Sequence, residues 1–109
     1  MVWVTAQAGR DPSNGELVRG GMEGQLDQAI SNLEAILDES GSSLDRVIRT
    51  QIMYTDPADV HAMDAVYWRR FHAPLPVQIS WGVRFLAAEP GAEIVRVQID
   101  CVADLNHGL

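Results

Sequence analysis

The chain opens on Val2, Trp3, Val4, Thr5, Ala6 and Gln7, a β-branched and aromatic run that predicts a strand. Asp11-Pro12-Ser13-Asn14-Gly15 carries turn chemistry at every position and predicts a reversal into a short second strand, Glu16 to Arg19. From Met22 the spacing becomes helical, with Met22, Leu26, Ala29, Ile30, Leu33, Ile36 and Leu37 on one stripe and Gly41 as its stop. Ser43-Leu44-Asp45 leads through a turn into a strand over Val47 to Thr55. Asp56-Pro57 begins a second helix, because aspartate accepts from free amides and proline fits the first helical position. Val60, Met63, Tyr67 and Phe71 form its buried stripe, and Pro74 and Pro76 close it. Two more strands, Val77 to Phe85 and Ile94 to Val102, flank the turn Glu89-Pro90-Gly91.

The order ββαβαββ, with two helices that each need a sheet to cover them, predicts an α+β fold with both helices on one face of a mixed sheet. Alternation places Val77, Ile79, Trp81 and Val83 on one face of their strand, and their apolarity predicts that this face meets the helices. Gln78, Ser80, Gly82 and Arg84 then point the other way.

At 109 residues the chain has the length of one domain, residues 1–109, with no repeat or linker. The net charge of -7 and eight scattered basic residues, of which only Arg69 and Arg70 adjoin, argue against a nucleic-acid partner. All eight are arginine, so a Schiff-base lysine and pyridoxal-phosphate chemistry are excluded and no cofactor is expected. No apolar run is long enough to cross a bilayer and no secretory leader pattern opens the chain. With the single cysteine, Cys101, these features predict a cytoplasmic protein without a membrane partner. His61, His72, His107 and Cys101 lack metal-ligand spacing, and Cys101 reads as a buried, inert thiol among Val97 and Ile99. Tyr67, Trp68 and Phe71 read as core and interface aromatics.

Several motifs, taken in order, resemble the YjgF-like Rid (reactive intermediate deaminase) family over essentially the whole chain. They are Asp11-Pro12-Ser13-Asn14-Gly15-Glu16-Leu17-Val18, the helix from Gln25 to Leu37, Gly41-Ser42-Ser43-Leu44-Asp45-Arg46-Val47, Tyr54-Thr55-Asp56 with Asp59 through Tyr67 and Phe71, and the strand after Pro76. The resemblance implies a chorismate-mutase-like fold, a homotrimer, and clefts between neighbouring subunits that hydrolyse imines or enamines such as 2-iminoacids. It also implies departures. The family's carboxylate-binding arginine, in a Pro-Ala-Arg-Ser setting, aligns with Gln78 of Pro76-Val77-Gln78-Ile79. The cysteine two residues later aligns with Ser80, the acid of the last strand with Gln98, and the asparagine of the second helix with Asp64. A strand that in family chains precedes the first one, with an aromatic residue lining the cleft, has no counterpart, which leaves a truncated start or a more open cleft.

Glutamine carries no charge and cannot clamp a carboxylate bidentately. Arg84 lies about 20 Å along the strand from Gln78, out of reach, whereas Arg96 lies about 7 Å from Gln98 and is the better relocated anchor. An exposed arginine paired with an acid is the plainer reading of Arg96, as an ordinary solvated residue is of Asp64, Gln78 and Ser80. The expected ligand-binding set is thus Gln78, Ser80, Gln98, Arg96 and Asp64, with no catalytic residue assigned. Two functions fit: a deaminase-like hydrolase acting on an imine, enamine or related carbonyl metabolite, or a trimer that binds a metabolite without chemistry. A ribonuclease fits the charge worst.

Overall fold

The computed structural model describes residues 1–86 and 94–105. Along them run β1 (Val2–Ala8), α1 (Gly21–Glu39), β2 (Val47–Tyr54), α2 (Val60–Arg70), β3 (Val77–Gly82) and β4 (Val97–Ala103), with 3-10 turns at Leu44–Arg46 and Pro57–Asp59. The strands form one mixed sheet in the order β1-β4-β2-β3, with β4 antiparallel to both neighbours and β2 parallel to β3. The α+β class and the helical periodicity hold. The turn Glu89-Pro90-Gly91 and His107 lie outside the described residues.

The expected second strand does not form. The turn itself is well made: Asp11 Oδ1 accepts from Ser13 N at 2.9 Å and Ser13 Oγ at 2.7 Å, and Asn14 Oδ1 accepts from Glu16 N at 2.9 Å. Yet the returning arm makes only an isolated bridge, Leu17 to Arg10. The reason is just downstream, where Gly20 and Gly21, at φ 106° and 62°, turn the chain into α1 before a ladder can extend. β3 and β4 also differ from expectation in extent, ending at Gly82 and starting at Val97, although single bonds from Val83 N to Tyr54 O and from Thr55 N to Arg96 O prolong the pairing.

α1 ends where its sequence dictates. Ser42 N donates to Leu37 O at 2.8 Å and Gly41 N to Asp38 O at 3.4 Å, with Gly41 left-handed at φ 83°, the paired bonds of a Schellman cap. Its stripe of Met22, Leu26, Ala29, Ile30, Leu33 and Leu37 is buried against Ile52, Ile99 and Cys101 of the sheet and Met63, Val66, Tyr67 and Phe71 of the second helix. Asp56 Oδ1 accepts from Ala58 N at 2.9 Å and starts the turn that becomes α2. Arg70 Nη1 meets Asp27 Oδ1 at 2.6 Å and ties the two helices together.

Register identifies the two faces of the sheet. Thr50 and Ile52, both fully buried under the helices, pair with Gln78 and Ser80 on one side and with Cys101 and Ile99 on the other. Paired residues share a face, so Gln78, Ser80 and Gly82 lie on the helix side. Val77, Ile79 and Trp81, paired with Arg49, Gln51 and Met53, lie on the opposite, helix-free face, where Val77 and Trp81 are 64% and 51% exposed. The expectation that this apolar row meets the helices is therefore corrected. Alternation groups the residues properly, but their apolarity belongs to a face that no helix among the described residues covers.

Candidate functional site

Among the described residues β3 is an edge strand, paired in the sheet with β2 alone. Ser80 and Gly82 sit on its helix side and yet are exposed, so the helix layer stops short of this strand and leaves a polar strip beside it. The strip is Gln78, Ser80 and Gly82. Behind it on β2 stand Thr50, Ile52 and Tyr54.

Gln78 is half-buried, and its amide nitrogen Nε2 is buried without a hydrogen-bond partner among the described residues. A buried unpaired donor costs about 1 to 3 kcal/mol, so a native site that keeps one requires a reason. Its strand partner Thr50 bonds in another direction, Thr50 Oγ1 and Tyr67 Oη lying 2.8 Å apart. Burial pushes the Tyr67 phenol above its ordinary value, the bond to Thr50 opposing only in part, and the group stays neutral at physiological pH. At the far end, a Cβ placed on Gly82 would lie 3.4 Å from Tyr54 Cε2 and 3.7 Å from its hydroxyl, so the Tyr54 phenol overhangs the strip.

Tyr54, Thr50 and Tyr67 were not among the sequence candidates. The signal that could have found them is the parallel register, which sets Thr50, Ile52 and Tyr54 opposite Gln78, Ser80 and Gly82.

The other candidates lie elsewhere. Gln98 pairs with Met53 and Ala8 and faces away from the helices, so one chain cannot bring it to Gln78. On that same face Trp3, Thr5, Arg49, Gln51, Asp100 and Val102 line a hollow of about 230 Å³. Burial pushes the Asp100 carboxyl up, against the opposing pull of the Arg49 charge. Arg96 precedes β4; its guanidinium meets Asp59 Oδ2 at 3.0 Å and its amide donates to Gln25 Oε1 at 2.8 Å. It lines a hollow of about 330 Å³ at the start of α1, with Arg19, Gly20, Gly21, Gln25 and Ile94. Asp64 is half-buried on α2.

Cys101 is buried, and desolvation, with the Asp100 charge adding to it, raises its thiol to about 11, so no thiolate is available near neutral pH. Among the described residues no three His, Cys, Asp or Glu side chains group to hold a metal. No helix of the described residues is long and apolar enough to cross a membrane.

The fold, a four-stranded mixed sheet with its helices on one face, has known counterparts. Residues 1–104 match the family described as Endoribonuclease L-PSP, and the chain belongs to that family, which includes the YjgF and Rid proteins. It is 32% identical over 102 residues to the mouse 2-iminobutanoate/2-iminopropanoate deaminase, an alignment covering 94% of this chain and 72% of that one. It is 30% identical over 105 residues to the chloroplastic Reactive Intermediate Deaminase A of Arabidopsis thaliana, covering 96% and 54% of the two chains. Among solved structures, a putative endoribonuclease from Thermotoga maritima superposes with a TM-score of 0.82 at 31% identity, over 93% of this chain and 76% of that one. RidA from an Antarctic Psychrobacter superposes with a TM-score of 0.83 at 27% identity, over 93% and 77%.

Proposed function

We propose that the chain is a divergent member of this family that assembles as a homotrimer, binds a small imine, enamine or related carbonyl metabolite in clefts between subunits, and hydrolyses it without the carboxylate clamp of a 2-iminoacid deaminase. The observation that carries this reading is Gln78, a neutral amide with an unpaired buried nitrogen on a bare strip of a chain whose relatives are named imine deaminases.

Hydrolysis of an imine adds water across the C=N bond and releases ammonia and a carbonyl compound. The protein must hold the imine, position a water at its carbon and accommodate the transferred protons. Gln78 and Ser80 supply hydrogen bonds to the substrate, and Gln98 orients the water. Because Gln78 and Gln98 lie on opposite faces of one sheet, a cleft that uses both has to take them from different subunits of the proposed trimer. Asp64 is the acid assigned to this cleft and Arg96 the guanidinium, the latter already paired with Asp59. The domain comprises residues 1–109, and a cytosolic location suits its free thiol.

The second reading, a trimer that binds a metabolite without chemistry, is favoured by the strip itself, where no side chain of Gln78, Ser80 or Gly82 titrates near neutrality. Generating 2-iminobutanoate in place and following its disappearance tests both. The expected result is no acceleration over spontaneous hydrolysis. Robust turnover would overturn the divergence, and loss of that turnover in Arg96→Ala would identify the relocated clamp.

A further inference from the structure

We infer that the subunits of the proposed trimer meet through the helix-free face of the sheet, and that a charge pair specifies the contact, Asp100 of one protomer with Arg49 of the next. It rests on the trimer reading above and names the side chains that hold the trimer together. Register places Arg49, Gln51, Asp100 and Gln98 along the two middle strands of that face, with Trp3 on β1 and Val77 and Trp81 on β3 at its flanks. Trp3 is 72% exposed and Val77 and Trp81 are open as well, and large apolar side chains this bare on one face mark an association surface.

The two charges at the middle of the face are half-buried and unmatched. Arg49 Nη2 donates to Gln51 Oε1 at 3.0 Å, and among the described residues no ion pair joins Arg49 to Asp100, although they sit on adjacent strands. Burial raises the Asp100 carboxyl, and the Arg49 charge offsets this only in part. Whatever covers the face has to bring a cation to Asp100 and an acceptor to Arg49, because closing over an unpaired charge is costly. A second copy carries both. The cleft reading fixes which surfaces meet: Gln98 lies on the helix-free face two residues from Asp100, whereas Gln78 lies on the helix side of β3, so a cleft that uses both sets the helix-free face of one subunit against β3 of the next. Arg49 stands one strand inside β3, about 5 Å from it, within an arginine's reach of that contact. A contact between two unlike surfaces is heterologous and closes as a ring, as a trimer requires.

Arg49→Asp and Asp100→Arg, made singly and together, test the pair by light scattering and analytical ultracentrifugation across a dilution series. Each single variant sets like charges against each other at every contact and should dissociate at a concentration about 100-fold or more above that of the wild type. An equimolar mixture of the two single variants should regain association, because every contact between unlike chains then joins opposite charges. Recovery is partial, since one contact of a three-membered ring still joins like chains. A pair closed within one chain would gain nothing from mixing. The double variant exchanges the pair and should assemble as the wild type does, which separates loss of the contact from loss of the fold. Single variants that stay trimeric, a mixture without recovery, or a monomeric double variant would each overturn the inference and leave the trimer in place. A monomeric wild type would remove both.

Discussion

Removing one oxygen atom tests how α2 is fixed to β2, beside the candidate site. In Tyr67→Phe, the Thr50 hydroxyl stays fully buried and loses its bond to Tyr67, made at 2.8 Å in the wild type. Stranding a buried hydroxyl costs about 1 to 3 kcal/mol, whereas deleting both partners is close to neutral. Thr50→Val in the Tyr67→Phe background should therefore return stability to within about 1 kcal/mol of wild type, giving a coupling of about 1 to 2 kcal/mol. Urea unfolding at fixed protein concentration reads this out: with a slope of about 1 kcal/mol per molar, the single variant's midpoint should fall by roughly 1 M or more at unchanged slope. The alkaline limb gives an independent readout. Folding raises the Tyr67 phenol above its ordinary 10.0 and the Cys101 thiol from 9.0 to about 11, so the folded state holds these protons more tightly. Their contribution is complete below pH 9 and is lost as pH rises through 9 to 11 and beyond, and Tyr67→Phe should flatten the upper part of that loss. Equal destabilisation in the single and double variants would refute the reasoning, since the damage would then come from packing rather than from an unpaired hydroxyl.

Gly9→Ala should lower the melting temperature by at least about 4 °C in a thermal scan, because its Cβ would fall 2.4 Å from the backbone oxygen of Gln25, which cannot yield; Gly82→Ala, with its nearest contact at 3.4 Å, should be tolerated. Light scattering at micromolar concentration should give the mass of a trimer, and a stable monomer would remove the inter-subunit cleft. Fluorescence anisotropy with a labelled RNA single strand at moderate salt should show no submicromolar binding, and incubation should leave the RNA intact; tight binding would reveal a basic surface that the net charge of -7 conceals.

The parts of the fold legible in the sequence are those where a single element determines its own environment. The stripe from Met22 to Leu37 has helical spacing, and Gly41 closes it through its own left-handed backbone. Asp56-Pro57 likewise announces the turn into α2. The hairpin arm at Glu16 to Arg19 is not legible in its own residues, because the next two glycines decide its outcome. In β3 alternation shows which residues point together, but the neighbouring strand decides which of its faces the helices cover. Thr50, polar by composition and fully buried in fact, aligns Gln78 with the helix side through parallel pairing. The separation of Gln98 from Gln78 follows from the same pairing and is invisible to any single strand.

β3 carries unlike cargo on its two sides, and its pairing to β2 is what keeps them apart. A one-residue slip against β2 would exchange Gln78 and Ser80 for Ile79 and Trp81 on the helix side, turning the polar strip greasy and placing amides on the outer face. Because among the described residues only β2 holds this strand, a single inserted or deleted residue between Pro76 and Gly82 would be expected to take Gln78 and Ser80 off the strip in a protein that still folds its helices and the remaining strands. Length in this segment therefore decides what the strip presents as much as the identity of any side chain on it.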